Sequence, residues 1–241
     1  MPYIKQTIYA GKTVEVHKYY SSRYGKRTSP NRRPHTDPTP EDVAEVNRQQ
    51  AIKKLRGLLN ENFGSGDLHV TFTYRKENRP ADAEEAKQIL KKLMRDLKKT
   101  YTKAGIVFKY ICVTEYENVA IHHHIVLKKI DVECIQRAWS KGRVRISVLD
   151  DTGQYGNLAA YLVKETDKTA KKGGLYKKRW NASQNLDKPV IVREVVQAKK
   201  WRTEPKIPKG FYLWKDDTTE LNSVDCYTQL PKQDYILVRL E

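Results

Sequence analysis

Three consecutive histidines stand in the middle of an apolar segment, residues 120–127, and they constrain the chain more than any other feature of its sequence. The flanking Ile and Val residues favour a β-strand, in which side chains two positions apart lie on the same face of the sheet. His122 and His124 are therefore expected to share one face, and His123 to point to the other. Two imidazoles on one face of a rigid strand can hold one metal ion, so the pattern predicts a metal site on a sheet surface.

A carboxylate is expected to complete this site. The segment before the histidines predicts a second strand that ends in acidic residues and pairs with the first as a hairpin. If the hairpin pairs Glu117 with Ala120, Glu115 lies opposite His122 on the same face. A register shift of one residue would turn Glu115 to the other side. Two histidines and a carboxylate suit Mn²⁺ or Mg²⁺, with Zn²⁺ also open, and an ordinary pair of hydrogen-bonded histidines is the alternative.

The order of the predicted elements indicates an α+β fold, with a central, largely antiparallel sheet that carries the His-x-His strand and is flanked by helices. Thr39-Pro40 has the pattern of a helix start, and Asp82 with Glu85 has the pattern of a capping box. The predicted elements are a hairpin over 3–20, a helix over 39–62, a strand over 68–74, a helix over 82–102, strands over 106–116 and 120–128, a short helix over 131–140, a strand over 143–149 and a helix over 154–166.

Three segments are expected along the chain. Residues 1–63 predict a hairpin, a basic loop and a helix that pack on the core. Residues 64–170 predict the core itself, and residues 171–241 predict a basic, Trp-containing extension that contacts DNA. Short apolar runs at 190–192 and 235–238 interrupt this extension, which either folds back on the sheet or forms a small unit of its own.

The last helix of the predicted core carries Tyr161 and Lys164, one turn apart and on one face. A phenol can attack phosphorus and form a phosphotyrosyl ester, and a nearby ammonium can orient the phosphate or ease loss of the phenolic proton. Taken alone the pair is a weak signal, because the chain has 15 tyrosines. Tyr155 lies six positions earlier and off the Tyr161 face, and it is the alternative nucleophile.

The charge of the chain predicts a polyanionic partner. The formal net charge is +17 and the isoelectric point is near 9.6. Basic side chains gain affinity for nucleic acids by displacing counterions from phosphates, and tyrosines among Lys and Arg suit stacking on the bases of a single strand. A solvated basic surface without a partner is the alternative.

The remaining composition favours the cytoplasm. Three cysteines without a Cys-x-x-Cys pair argue against a disulfide framework and against a cysteine zinc site. We expect no signal peptide and no membrane span, because no apolar run is long enough. The sequence makes no prediction of the oligomeric state.

Three motifs in chain order resemble the HUH endonuclease superfamily, in particular the single-tyrosine rolling-circle replication initiators of small plasmids and single-stranded DNA phages. They are His-Val-Thr-Phe-Thr at 69–73, Ile-His-His-His-Ile-Val-Leu at 121–127 and Asn-Leu-Ala-Ala-Tyr-Leu-Val-Lys at 157–164. The second departs from the family's His-hydrophobic-His pattern at His123. The resemblance covers residues 65–170, and the whole chain is similar to replication-associated proteins on elements of low-GC Gram-positive bacteria.

The resemblance implies a role for each motif. It implies that His122, His124 and Glu115 bind a divalent metal, that Tyr161 is the nucleophile and that Lys164 is an electrostatic helper. It further implies metal-dependent nicking and strand transfer at a single-stranded, hairpin-presented origin, with a host helicase and polymerase as partners. A transposase or relaxase of the same superfamily, and a non-catalytic single-stranded nucleic-acid-binding protein, stay open as alternatives.

Further side chains are candidate DNA contacts because they are hydroxyl-bearing, basic or aromatic and lie near these motifs or in the basic extension. They are Thr71, Thr73, Arg75, Lys171, Lys172, Lys178, Arg179 and Trp180.

Overall fold

The computed structural model describes residues 2–21, 39–115, 120–171, 178–215, 221–225 and 229–240, with the side chains of 167–171 left undescribed. The predicted basic loop thus falls almost entirely outside the described residues. The chain forms two compact units, one made of residues 1–50 with 188–241 and the other of residues 51–187. We call them the terminal unit and the central unit. The two units meet along the chain after residues 50 and 187, whereas the sequence predicted divisions after residues 63 and 170.

The described elements follow the predicted order through residue 171. They are β1 (Tyr3–Ala10), β2 (Thr13–Tyr19), α1 (Pro40–Asn62), β3 (Leu68–Thr73), a 3₁₀ turn (Lys76–Asn78), α2 (Ala83–Lys103), β4 (Tyr110–Glu115), β5 (His122–Leu127), α3 (Val132–Arg137), β6 (Val144–Val148), α4 (Gly156–Lys171), β7 (Asn181–Ala182), β8 (Val190–Val196), β9 (Phe211–Trp214), β10 (Asn222–Val224) and β11 (Pro231–Arg239).

The terminal unit is a sheet built on the N-terminal hairpin. Within the described residues its strand order is β10-β11-β2-β1-β8, with β9 also paired to β11, and each pairing is antiparallel. Gly11 closes the hairpin with a φ of 55°, a conformation that glycine adopts without strain. The apolar runs of the extension are strands β8 and β11, which pair with opposite sides of this hairpin. The extension therefore shares a sheet with the first residues of the chain.

The central unit is a five-stranded antiparallel sheet between helices. Its strand order is β6-β3-β5-β4-β7 within the described residues. Alternate residues of β3, among them Val70 and Phe72, point to one face and pack against the apolar stripe of α2. The other face packs against α4 and the C-terminal half of α1, through residues such as Leu59 and Leu162. We call these the α2 face and the α4 face.

A local sequence signal sets the start of α2. The Asp82 side chain accepts a hydrogen bond from the Glu85 backbone N–H at 2.8 Å, and the Glu85 carboxylate accepts one from the Ala81 N–H at 2.7 Å. The first bond satisfies an N–H group that the first helical turn leaves without a partner, and the second ties the residue before the cap to that turn. Strand β4 begins at Tyr110 and not at 106, because Ile106 and Phe108 instead pack against the cluster beneath α2.

Two further expectations concern thiols and membranes. Among the described residues Cys112 and Cys134 are free, and Cys226 lies outside them. No helix in the described ranges is both long enough and apolar enough to cross a membrane.

Candidate active site

The α4 face of the sheet carries a group of three possible metal ligands. Strands β4 and β5 pair in a register that sets Glu115 directly opposite His122, which is the one of the two registers left open by the sequence that places Glu115 on the face of His122. One carboxylate oxygen of Glu115 lies 2.9 Å from Nε2 of His122. One ligand atom from each of Glu115, His122 and His124 falls within 4.8 Å of the other two. This Glu-His-His group could hold a metal ion.

The hydrogen bonds of His122 test whether a cation fits there. Its Nδ1 lies 3.0 Å from the carbonyl oxygen of Ala120, which can only accept, so Nδ1 carries a proton and donates it. In the neutral ring Nε2 then holds a lone pair, and this lone pair faces the carboxylate of Glu115. The two acceptors repel each other unless a proton or a metal ion lies between them. The donor set therefore fits a divalent cation with nitrogen and oxygen ligands.

His124 is held in the neutral form that a metal ligand requires. Its side chain is buried, and its Nδ1 lies 3.2 Å from both Thr71 Oγ1 and His69 Nε2. Burial, together with neighbouring histidines, lowers the pKa of His124 to about 3. A neutral imidazole whose Nδ1 bonds to its neighbours can direct Nε2 toward a metal. Thr71 and His69 thus orient His124.

His69 lies in the site, although the sequence favoured an ordinary histidine on the face of the sheet. Its ring stacks on that of His124, with centroids 5.3 Å apart, and lies edge-on to the Tyr161 ring at 6.2 Å. Burial lowers the pKa of His69 to about 4, so it too is neutral near physiological pH. It lies two residues before Thr71 on β3, so both side chains are on the same face, and β3 pairs with β5. This spacing was the signal that could have found it.

His123 points to the opposite face, as predicted. It is fully buried, with Nε2 2.8 Å from the Tyr74 hydroxyl and Nδ1 2.8 Å from the Thr114 hydroxyl. Burial, with a smaller contribution from His122, lowers the pKa of His123 to about 3. The position at which the motif departs from His-hydrophobic-His is therefore filled by a neutral, doubly hydrogen-bonded core residue.

Helix α4 brings Tyr161 to the ligand group. The Tyr161 hydroxyl lies 3.4 Å from Nε2 of His124, at the outer limit of a hydrogen bond, and the two rings meet edge to face. The residue is 42% exposed. Burial, followed by the carboxylates of Glu165 and Glu115, raises the pKa of Tyr161, and Arg145 opposes this shift. The phenol is consequently protonated near neutral pH.

One cation that acts on this phenol lies on a strand, β6. Arg145 lies on β6, where it pairs opposite Thr71, and its charge lowers the Tyr161 pKa against the larger effects of burial and of the two carboxylates. Lys164 is exposed on α4, one turn beyond Tyr161. Arg145 was missed because its position depends on the pairing of β6 with β3. The available signal was that Arg145 stands between Val144 and Ile146 in the strand, so its side chain lies on the opposite face from theirs.

Tyr155, the alternative nucleophile, is a structural residue. It is buried, its hydroxyl donates to the carbonyl oxygen of Asp150 at 3.0 Å, and its backbone N–H donates to Asn60 Oδ1 at 2.9 Å. Burial, with lesser contributions from nearby aspartates, raises the pKa of Tyr155 to about 12. Tyr161 is thus the exposed tyrosine beside the ligand group.

Residues 67–169 match the family model described as "Replication-associated protein ORF2/G2P". This segment is similar to replication-associated proteins. It runs from just before β3 to the last turn of α4 and contains Glu115, His122, His124, Tyr161 and Lys164. No curated protein and no solved structure matches the chain.

The candidate DNA contacts on β3 have partners within the central unit. Thr71 bonds to His124, and the Thr73 hydroxyl donates to the carbonyl oxygen of Arg143 at 3.1 Å. Arg75 is exposed immediately after the strand. A role for these side chains in DNA binding stays a prediction.

The candidates in the extension are less uniform. Lys178 is exposed, whereas Trp180 is partly buried against the cluster formed by α1 and α4. Arg179 is partly buried and has a partner of its own. The Lys171 side chain and Lys172 lie outside the described residues. Trp180 therefore packs against the core, and DNA contact by this segment stays a prediction.

Proposed function

We propose that this chain initiates rolling-circle replication as a metal-dependent nickase and strand transferase for single-stranded DNA. The observation that carries the proposal is the Tyr161 hydroxyl, exposed and 3.4 Å from Nε2 of a histidine that belongs to a Glu-His-His group. The match of this segment to replication-associated proteins supports the same biological process.

Glu115, His122 and His124 would hold Mn²⁺ or Mg²⁺. When bound, a divalent cation supplies Lewis-acid polarisation of the scissile phosphate and stabilises the departing oxygen. Burial keeps His124 neutral, and Thr71 and His69 orient its ring. The Ala120 carbonyl orients His122, so the proposed ligands are arranged before the substrate arrives.

Tyr161 would act as the nucleophile. Its hydroxyl oxygen attacks the scissile phosphorus, the phenolic proton is lost, and the bond from phosphorus to the 3′ oxygen breaks. The 3′ oxygen takes up a proton and leaves as a free hydroxyl, while the 5′ phosphate stays on the tyrosine as an ester. Because one phosphoester replaces another, the energy of the broken bond is kept for rejoining.

Two cations near the tyrosine can serve this reaction differently. Arg145 stabilises the phenolate, since its charge lowers the Tyr161 pKa against burial and the carboxylates of Glu165 and Glu115. Lys164, exposed one turn along α4, can reach a phosphate bound over the tyrosine. The high positive charge of the whole chain supports a nucleic-acid substrate.

In replication the two products would have separate uses. A host polymerase would extend the free 3′ hydroxyl, a host helicase would unwind the duplex, and the covalent protein would keep the 5′ end for the closing step. A hairpin at the origin would present the cleaved strand in single-stranded form.

Adduct formation tests this proposal directly. The protein is incubated with Mn²⁺ and a randomised single-stranded DNA library that includes hairpin-flanked members, and covalent products are separated on a denaturing gel. We expect an adduct that EDTA prevents and that Tyr161→Phe abolishes. Sequencing the attached 5′ ends then identifies the origin.

Tyr155→Phe is the matched control, because it removes a hydroxyl from a tyrosine on the same segment that lies in the core. It should retain the adduct. An adduct that persists in Tyr161→Phe would refute the assigned nucleophile. Tight binding of the library without any adduct in Mn²⁺ would favour a non-catalytic nucleic-acid-binding protein.

A further inference from the structure

The α2 face of the central unit carries a groove with a volume of about 1110 Å³. One wall is a flank of helix α2, the floor is apolar, and the other wall is formed by the start of β4 and by residues 181–185 around the edge strand β7. Glu115, His122, His124 and Tyr161 belong to the opposite face, so nothing in the proposed cleavage reaction requires this groove.

The helical wall is a row of cations. Lys87, Lys91, Arg95 and Lys98 line the groove, and the last three are exposed. Their spacing of three and four residues brings one cation to each helical turn, about every 5.4 Å. Glu84 at the start of the row is paired with Lys87, at 3.2 Å. A row of this kind can follow the phosphates of an extended strand.

The floor and the base of the opposite wall offer aromatic faces. Phe108 and Tyr110 line the groove and are partly exposed, and their ring centroids are 5.2 Å apart. Phe108 is supported from behind by Tyr101, a buried ring 5.1 Å away. Partly exposed rings on a firm base are the usual platforms for stacking nucleobases.

Beyond these rings the second wall is rich in amides and hydroxyls. Asn181, Ser183, Gln184 and Asn185 line it. Ser183 exchanges hydrogen bonds with Tyr110, and the Asn185 side chain donates to the Phe108 carbonyl oxygen at 3.3 Å, so the wall is fixed to β4. Amide side chains can both donate to and accept from the edges of bases.

We infer that this groove is a second binding site for single-stranded nucleic acid, with the phosphates along α2 and the bases over Phe108 and Tyr110. An acidic peptide would neutralise the same cations, but it would leave the aromatic faces and the amide wall without matching groups. The inference goes beyond the proposed nickase function, because it needs neither metal nor Tyr161. The groove would hold a strand on the face of the sheet opposite the candidate active site.

Photocrosslinking locates the bound strand on the unaltered chain. A short oligothymidylate that carries 4-thiothymidine is bound to the protein in EDTA, and the complex is irradiated. The peptides to which the strand is attached are then identified by mass spectrometry. We expect attachment within residues 104–112 or 181–185. Attachment only on the α4 face, for example around Thr71 or Tyr161, would overturn the inference.

Two matched triple variants measure the contribution of the cation row. K91Q/R95Q/K98Q removes three charges from the groove wall, and K92Q/K99Q/K103Q removes three from parts of the same helix that do not line the groove. In EDTA the first should weaken oligothymidylate binding at least about tenfold and the second much less. The slope of log K against log salt should fall by about 2 in the first, because each phosphate contact contributes about 0.7.

Equal weakening by the two triples, or an unchanged salt slope in the first, would overturn the inference. So would loss of affinity for polyglutamate with unchanged affinity for DNA, which would identify a peptide site. Thermal unfolding of each variant shows that it is folded, and the substituted positions are exposed on a helix that tolerates Gln. Adduct formation at the other face is read separately, so failure here leaves the nickase proposal intact.

Discussion

Strand β5 places histidines on both faces of one sheet, and the two faces give them different surroundings. Toward α4, His122 and His124 stand beside a carboxylate, a tyrosine hydroxyl and an arginine from β6. Toward α2, His123 is enclosed by Tyr74 and Thr114, which occupy both of its ring nitrogens. His123 is the immediate neighbour of both His122 and His124 in the sequence, yet its surroundings differ completely.

The difference lies in what each ring nitrogen can still do. His123 has no nitrogen left for a ligand, because both are hydrogen-bonded to side chains. The Nδ1 of His122 contacts the Ala120 carbonyl and that of His124 contacts the Thr71 hydroxyl. Their Nε2 atoms face Glu115 and the Tyr161 hydroxyl, respectively. The neighbours that hold one ring nitrogen thus decide whether the other is available to a metal, and the predictions below test this contrast.

The largest effect is expected for His124→Ala, which removes one of the three possible ligands and the neighbour of the Tyr161 hydroxyl. Adduct formation in Mn²⁺ should fall at least about 10³-fold, since loss of metal assistance costs several kcal/mol of barrier and each 1.36 kcal/mol is tenfold. The rate is measured on the selected origin strand, and calorimetry measures Mn²⁺ binding. Near-normal cleavage by a folded His124→Ala protein would remove this residue from the site.

His123→Ala should act on stability instead. It removes the hydrogen-bond partner that the buried hydroxyls of Tyr74 and Thr114 share and opens a cavity, so the free energy of unfolding should fall by about 3 kcal/mol. Denaturant titration measures this loss. At a temperature where the variant stays folded, its Mn²⁺ affinity should match that of the parent. Loss of metal binding without loss of stability would contradict the division between the two faces.

The candidate site was predictable where a local rule decides it. Alternation along one strand was enough to place His122 and His124 on one face and His123 on the other, whereas the register that sets Glu115 opposite His122 was one of two that the sequence left open. Helix α2 was predictable from its cap and its stripe of Leu90, Leu93 and Leu97. In both cases the residues that interact are close in sequence.

What escaped prediction depends on pairings between distant segments. Strands β8 and β11 join a hairpin that lies near the other end of the chain, and an apolar run does not state its partner. Arg145 and His69 enter the site only because β3 lies between β5 and β6. Tyr155 resembles a second nucleophile in sequence, and it is excluded only by its burial and its bond to Asp150.

A smaller effect should follow from removing one hydroxyl on each face. Thr71→Val deletes a group that orients His124, and Mn²⁺ affinity should fall about tenfold, the usual cost of losing such a neighbour. Thr114→Val deletes the equivalent partner of His123 and should lower the free energy of unfolding by about 1 kcal/mol without changing metal affinity. If both variants change the same quantity, the two faces are not functionally separate.

The smallest effect is expected for Arg145→Gln, which tests the electrostatics of the α4 face. Burial and the carboxylates of Glu165 and Glu115 raise the pKa of Tyr161, and Arg145 opposes them, so its removal should raise that pKa further. If the phenolate is the attacking form, the rising limb of adduct rate against pH moves to higher pH. Because Arg145 is exposed and solvent screens its charge, the rate near neutrality should fall only about two- to fivefold.

The matched control is Arg143→Gln, an exposed arginine two residues earlier that is not among the charges acting on the phenol. It should leave the pH profile where it is. An identical shift in both variants would mean that general positive charge, and not the position of Arg145 opposite Thr71, acts on Tyr161. A shift to lower pH in Arg145→Gln would contradict the sign of the interaction and with it the role of Arg145 in stabilising the phenolate.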